Sequence, residues 1–258
     1  IAVVRKLPCR EIPGIGYWLR GGINLLQLIP SLPSLLVTFS RYLLGKPLEN
    51  YQDYVFYPFS PPNPRLVDTF QQDLTFGLQR VIGVNPVVLR AVTRQNPLPA
   101  ALPESEIRRI FAEQIIEVDY AAALEQKRVY VLDYASLEIL QQNPGSIDGG
   151  RKQYVTTPIV VLFLQSDGLL QPLAIQLYQD ARPDNPVYTP KDGNLWLAAK
   201  MFAQVADGNH HILYTHATRI HYVMEAIIMA SRRQLYKSHP LSVLLNPHLQ
   251  HTLNVNHQ

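Results

Sequence analysis

All eight histidines of the 258-residue chain lie between His210 and His257, and three of them, His211, His216 and His221, recur at five-residue intervals. Imidazole nitrogen binds iron, zinc, copper and nickel, so such a series is a candidate transition-metal site. Spacing sets the condition. On a regular α-helix five residues advance about 500°, which leaves successive members roughly 140° apart around the axis. Residues so placed do not face one metal. The HExxH pattern of zinc-protease helices is absent, because Ile212 and Leu213 follow His211. A π-bulge, with i→i+5 bonding, would bring members of the series towards one face. Two of these histidines can share a metal only where the helix widens; otherwise the three are core imidazoles bonded to carbonyls and waters.

Composition narrows the chemistry. Hydrophobic residues make up 47% and charged residues 17% of the chain, which is a globular balance. A net charge of +3, with the positive residues scattered, argues against a nucleic-acid partner. Cys9 is the single cysteine, so an internal disulfide and a thiolate metal cluster are excluded and ligands must be nitrogen or oxygen. The most apolar stretch, residues 23–44, is broken by Pro30 and Pro33 and carries Arg41. A spanning helix needs about 20 uninterrupted apolar residues. Neither a transmembrane helix nor a signal peptide is expected, which points to a cytoplasmic protein with peripheral membrane contact left open. The chain starts at Ile1 and stops in mid-pattern at Gln258, and it is expected to be a piece of a longer one.

The elements that must position the histidines are mostly helical. Residues 1–65 are rich in proline and aromatics and are expected to run extended; 66–126 is expected to be helical. Within the latter, a helix to about Val81 breaks at "GVNP" (83–86), and a second helix covers 105–124, with Ile107, Ile110, Phe111, Ile115 and Val118 on one side. Residues 127–178 form a small sheet from "RVYVLDY", "YVTTPIVVLFLQ" and "LQPLAIQLY", the last two joined by an "SDG" turn. Residues 194–258 return to helix and hold the histidines. The fold class is mainly α-helical with a small antiparallel β-sheet, in a single, truncated domain.

These residues resemble the lipoxygenase family from about Asp73 to Gln258. The family's iron helix runs Trp, Ala-Lys, Asp, His, then His, His and Glu, and the same order stands here as Trp196, Ala199, Lys200, Asp207, His211, His216, His221 and Glu225. "DLTFGLQRVIGVNPVVL" (73–89), "DGLLQPLAIQL" (167–177) and the downstream "RQL", "HP", "PH" and "VN" anchors fall in matching sequence. The resemblance implies a partial lipoxygenase catalytic domain, bacterial-like and without the N-terminal β-barrel domain. It implies that His216 and His221 bind a non-haem iron across a π-bulged turn, with His211, Ile212 and Glu225 in the surrounding layer. Ile212 departs from the usual Gln or Glu and Ile220 from the usual Thr or Gly, which puts the tuning of the site in doubt.

The resemblance further implies an enzyme that converts polyunsaturated fatty acids and O2 to hydroperoxides through an iron cycling between Fe2+ and Fe3+. Its remaining ligands, a third His, usually an Asn (or His or Ser) on the same later helix and a C-terminal Ile, are expected beyond Gln258, so this piece alone is expected to be inactive and to hold iron poorly. Leu213, Leu241, Leu244 and Leu245 are candidate pocket liners, with ordinary core packing as the plain alternative. Arg232 and Arg233 could meet a carboxylate or close a helix C-terminus. His239, His248, His251 and His257 match no ligand position and read as helix ends and surface. Two other functions compete: a zinc hydrolase with Glu225 as base, and a non-catalytic lipid-binding helical module.

Overall fold

The computed structural model describes Ile15, Leu19 and residues 69–114, 117–142, 146–147, 151–152, 155–249 and 252–256. The expected extended run over 1–65 and the apolar stretch 23–44 therefore lie outside the described residues, Ile15 and Leu19 apart. The chain divides into two compact units, one of Phe70–Ala217 and one of Ile1–Thr69 with Thr218–Gln258.

In the Phe70–Ala217 unit, helix α1 is Asp73–Ile82, and it stops where Gly83 N–H returns to Gln79 O at 3.0 Å. The break at "GVNP" is present as a 3-10 turn, Pro86–Val88, leading to strand β1, Arg90–Ala91. Helix α2, Glu104–Glu113, and helix α3, Tyr120–Glu125, occupy the region read as one helix over 105–124. That expectation is corrected. The Asp119 carboxylate accepts from Ala122 N–H at 2.8 Å and caps a separate helix that begins at Tyr120. Val118 still packs on the core beside Ile107, Ile110 and Phe111, while Ile115 lies outside the described residues.

Strand β2 is Val129–Asp133, followed by helix α4, Glu138–Gln142, and the short pair β3, Ser146–Ile147, and β4, Arg151–Lys152. Strands β5, Ile159–Leu164, β6, Leu170–Gln176, and β7, Val187–Tyr188, complete a five-stranded antiparallel sheet of order β1-β2-β5-β6-β7. The "SDG" hairpin turns at Gly168, whose φ of +83° suits glycine, and Leu169 N–H is held by Asp167 Oδ1 at 2.9 Å. The edge strands β1 and β7 widen the sheet beyond the expected 127–178.

Both faces of this sheet are covered, so its strands read as continuous apolar runs rather than as alternating ones. Val129, Val131, Ile159, Val161 and Phe163 face α2 and α3, where Phe111 meets Tyr120 and Phe163 edge-on. Leu132, Val160, Leu162 and Ile175 face α1 and helix α5, Asn194–His210. Between β5 and β6 the register shifts at Val161/Leu162, which turns Leu173 and Ala174 to the same side and accommodates Pro172 inside the strand. On α5 the buried Ala199, Ala203 and Ala206 form a flat face that lets the helix lie close to the sheet.

In the Thr218–Gln258 part of the other unit, α6, Val223–Gln234, α7, Pro240–Leu245, and α8, Thr252–Val255, enclose a cluster of Ile228, Leu249 and Leu253. Pro240 opens α7, and His239 caps it, its Nδ1 accepting from Leu241 N–H at 3.2 Å. His239 thus serves as the helix-end residue its position suggested. Among the described residues no helix is long and apolar enough to cross a membrane.

One close approach makes a stability test. A Cβ added at Gly77 of α1 would lie 1.7 Å from the Leu170 carbonyl oxygen of β6, which is backbone and cannot swing away. Gly77→Ala is expected to cost about 1–3 kcal/mol, the usual range for overpacking, read as a lower denaturant midpoint with unchanged slope. An unchanged midpoint would show that α1 and β6 are not so tightly joined.

Candidate metal centre

The histidine segment begins where α5 ends. From His211 to Tyr222 the chain winds as a π-helix of 12 residues. Widening was the condition for histidines five apart to share a face, but the extent differs from expectation: the whole segment is π-wound, not one bulged turn. Within the Phe70–Ala217 unit the consequence is visible, since the rings of His211 and His216 stand 5.6 Å apart at 64°. On an α-helix such a pair would diverge.

The start of this winding is fixed by a buried polar hub around Asp207, one turn before His211. Its Oδ1 accepts from the Tyr134 hydroxyl at 2.7 Å and from Asn85 Nδ2 at 3.1 Å, and its Oδ2 pairs with Arg80 at 3.2 Å. Asn85 Nδ2 also donates to the Asp207 carbonyl at 2.7 Å, and Asn85 Oδ1 accepts from the Thr215 hydroxyl at 3.0 Å. Asn85 therefore ties both sides of the α-to-π junction. His211 N–H reaches the carbonyls of both Asp207 and Gly208. His210 stacks on Tyr214 at 5.0 Å and meets Tyr134 edge-on, and Tyr214 donates to Ser136 O at 2.7 Å. Arg80, 2% exposed, lies over the Phe76 ring and contacts Gln204.

The earlier motif residues have equally concrete roles. Asp73, in the first turn of α1, accepts from Trp196 Nε1 at 2.8 Å and Lys200 Nζ at 2.6 Å. This clamps α5 onto α1 and sets the direction from which the histidine segment leaves.

In the other unit, the His221 ring places Nδ1 2.8 Å from Asn256 Oδ1, while Asn256 Nδ2 donates to Glu225 Oε2 at 2.8 Å and to His221 O at 3.2 Å. Glu225, the base required by a zinc hydrolase, is 1% exposed and engaged by an amide rather than aimed at solvent. Ile212 and Leu213 are exposed by 57% and 38%, and Leu241 and Leu244 are also exposed. Leu245 packs instead on the Ile228 cluster. Arg232, in the last turn of α6, donates to Leu249 O at 3.4 Å, and burial lowers its pKa. Arg233 is in the same turn, which suits helix closure, and His248 is exposed in a turn. His251 and His257 lie outside the described residues. Asn85, Arg80, Tyr134, Thr215 and Asn256 carry no periodic signal; "GVNP" and "NVN" hold two of them but do not say what they touch.

The donors fit a transition metal of nitrogen and oxygen preference. They are imidazoles on a widened helix, and the ring nitrogen of His221 nearer the backbone faces the Asn256 side-chain oxygen at 2.8 Å, an arrangement common among metal-binding histidines. The lipoxygenase family model matches residues 43–258. The hydroperoxide isomerase ALOXE3 of Homo sapiens is 37% identical over 188 residues, covering 72% of this chain and 25% of that protein. The linoleate 9/13-lipoxygenase of Pseudomonas aeruginosa is 36% identical over 204 residues, covering 75% of this chain and 29% of that protein. A lipoxygenase solved anaerobically in complex with arachidonate shares 26% identity with a TM-score of 0.73, over 96% of this chain and 36% of that one. The chain belongs to the lipoxygenase family, whose members use a non-haem metal. It spans between a quarter and a third of the length of the two curated relatives. Neither the zinc-hydrolase nor the non-catalytic alternative gains support.

The Asp207 hub yields two predictions. Asp207→Ala leaves Arg80 buried without its partner and is expected to cost about 3–5 kcal/mol, much of it recovered by adding Arg80→Met, which removes the stranded charge. Denaturant unfolding of the single and double variants checks this, and equal losses in both would refute it. Burial first, then the charge of Asp207, pushes the Tyr134 phenol well above its ordinary range. The folded state therefore keeps a proton that an unfolded tyrosine loses near about pH 10, so this contribution is full below that pH and is lost as pH rises further. Tyr134→Phe should flatten the alkaline fall in stability, followed by urea midpoints across pH.

Proposed function

We propose that this chain is the iron-helix part of a non-haem iron dioxygenase that converts polyunsaturated fatty acids to hydroperoxides, with His216 and His221 as iron ligands. The observation that carries the reading is the π winding, which runs unbroken through both residues. A wider winding is what lets residues five apart on a helix turn towards one side. The family match and the relatives named for linoleate lipoxygenation support the substrate class.

An iron held by His216 and His221 would supply the one-electron redox chemistry that oxidation at the carbon between two double bonds needs. The chain's own residues hold and shape. His216 and His221 offer imidazole nitrogen. Asp207, Asn85 and Thr215 hold the helix open at its start. The exposed apolar side chains of Leu213, Leu241 and Leu244 have the chemistry an acyl chain needs, and Ile212 offers no polar group where family members usually carry Gln or Glu. A cytoplasmic location, with peripheral membrane contact giving access to acyl chains, is part of the same proposal and rests on sequence expectation.

Metal analysis and a conjugated-diene assay of the whole protein containing this chain test the reading. The expected result is close to one iron per chain and turnover of a fatty acid with a 1,4-pentadiene. His216→Ala and His221→Ala are each expected to weaken iron binding by more than about 100-fold, beyond what loss of an outer partner costs, and to abolish turnover. Retained iron in both variants would overturn it.

A further inference from the structure

We infer that Asn256 is a positioning residue that holds the His221 imidazole in its Nδ1–H tautomer, leaving Nε2 as the nitrogen that can bind a metal. The metal role rests on the proposed function; the tautomer does not. A neutral imidazole has one N–H and one lone pair, and the partner of one nitrogen decides which is which. His221 Nδ1 lies 2.8 Å from Asn256 Oδ1, so the question is whether that atom is truly the amide oxygen. The amide's other end settles it. Asn256 Nδ2 faces Glu225 Oε2 at 2.8 Å and the backbone oxygen of His221 at 3.2 Å, two partners that use both of its N–H bonds.

Reversing the amide would set its oxygen against both of those oxygens. A proton on Glu225 could relieve one clash, but a backbone carbonyl never donates, so the second would remain. The orientation is therefore fixed by His221's own carbonyl, with Glu225 as reinforcement. With Oδ1 facing the ring, Nδ1 must donate, and it must carry the proton. The backbone of Asn256 is itself held, its N–H donating to Thr252 O at 3.1 Å in the turn that ends α8. Glu225, 1% exposed, acts through the amide and not as a base.

The test is a two-bond proton–nitrogen NMR spectrum of the whole, metal-free protein labelled with nitrogen-15 histidine at pH 8, His221 being identified by the signals lost in His221→Gln. The expected spectrum has Nδ1 protonated and Nε2 bare. Glu225→Gln should leave it so, because the carbonyl still orients Asn256. Asn256→Leu should release the ring towards the Nε2–H form that imidazoles favour in water and weaken Fe2+ binding by about 10–100-fold. Asn256→Ala, which removes the same acceptor with less bulk, should release the ring likewise. A bare Nδ1 in the unaltered protein, or a tautomer unmoved by a folded Asn256→Leu, would overturn the inference. Should Asn256→Leu fail to fold, the unaltered and Asn256→Ala spectra decide. A ring protonated at Nδ1 in a protein that takes up no iron would uphold the inference and defeat the proposed function.

Discussion

A helix that winds by i→i+5 bonding is an uncommon way to fold a dozen residues, and it persists only where its surroundings hold it. Here the holding is done by Asp207. Its carboxylate gathers Tyr134, Asn85 and Arg80, and its carbonyl takes a second bond from Asn85 where regular winding ends. Thr215, beyond the junction, closes the circuit through Asn85 Oδ1. Contacts from α1, the 3-10 turn and the end of β2 meet at the start of the wider winding.

The rest of the Phe70–Ala217 unit can be understood as the support for that hub. Apolar strands covered on both faces form a rigid plate, and the alanine face of α5 sits close to it. Arg80 reaches Asp207 because α1 lies flat on β6, which Gly77 permits. Lys200 and Trp196 meet at Asp73, so α1 and α5 are joined at two places along their lengths. A buried charge pair is a modest source of stability, but a good source of register, since sliding either helix strands a charge.

Much of this was legible in the residues. The β-branched runs gave β2 and β6 to within two residues, while the run 154–165 holds β5 only in its second half, from Ile159; short length and β-branched content, more than periodicity, mark such doubly buried strands. The five-residue histidine step required a widened helix, and the helix is widened. Other features were hidden for physical reasons. The 105–124 run keeps helical spacing across two helices because Val118 still faces the core, and only the Asp119 cap reveals the break. The partners of Asp207 come from positions more than seventy residues away, as |i−j| of 73 for Tyr134 and 122 for Asn85. Asn256 is 35 residues from His221, joined by contact and not by pattern. The order of motif residues pointed to the histidine helix, whereas the contacts around it are not written in any pattern of the residues.

The most direct test is an anomalous-scattering map of the metal-loaded whole protein in a crystal. The expected result is one iron peak on the histidine helix, with Nε2 of His216 and Nε2 of His221 both at about 2.1 Å, an ordinary imidazole–metal distance, and i→i+5 bonding from His211 to Tyr222. Regular 3.6-residue winding across that segment, or a metal reached by one of the two rings alone, would contradict the account.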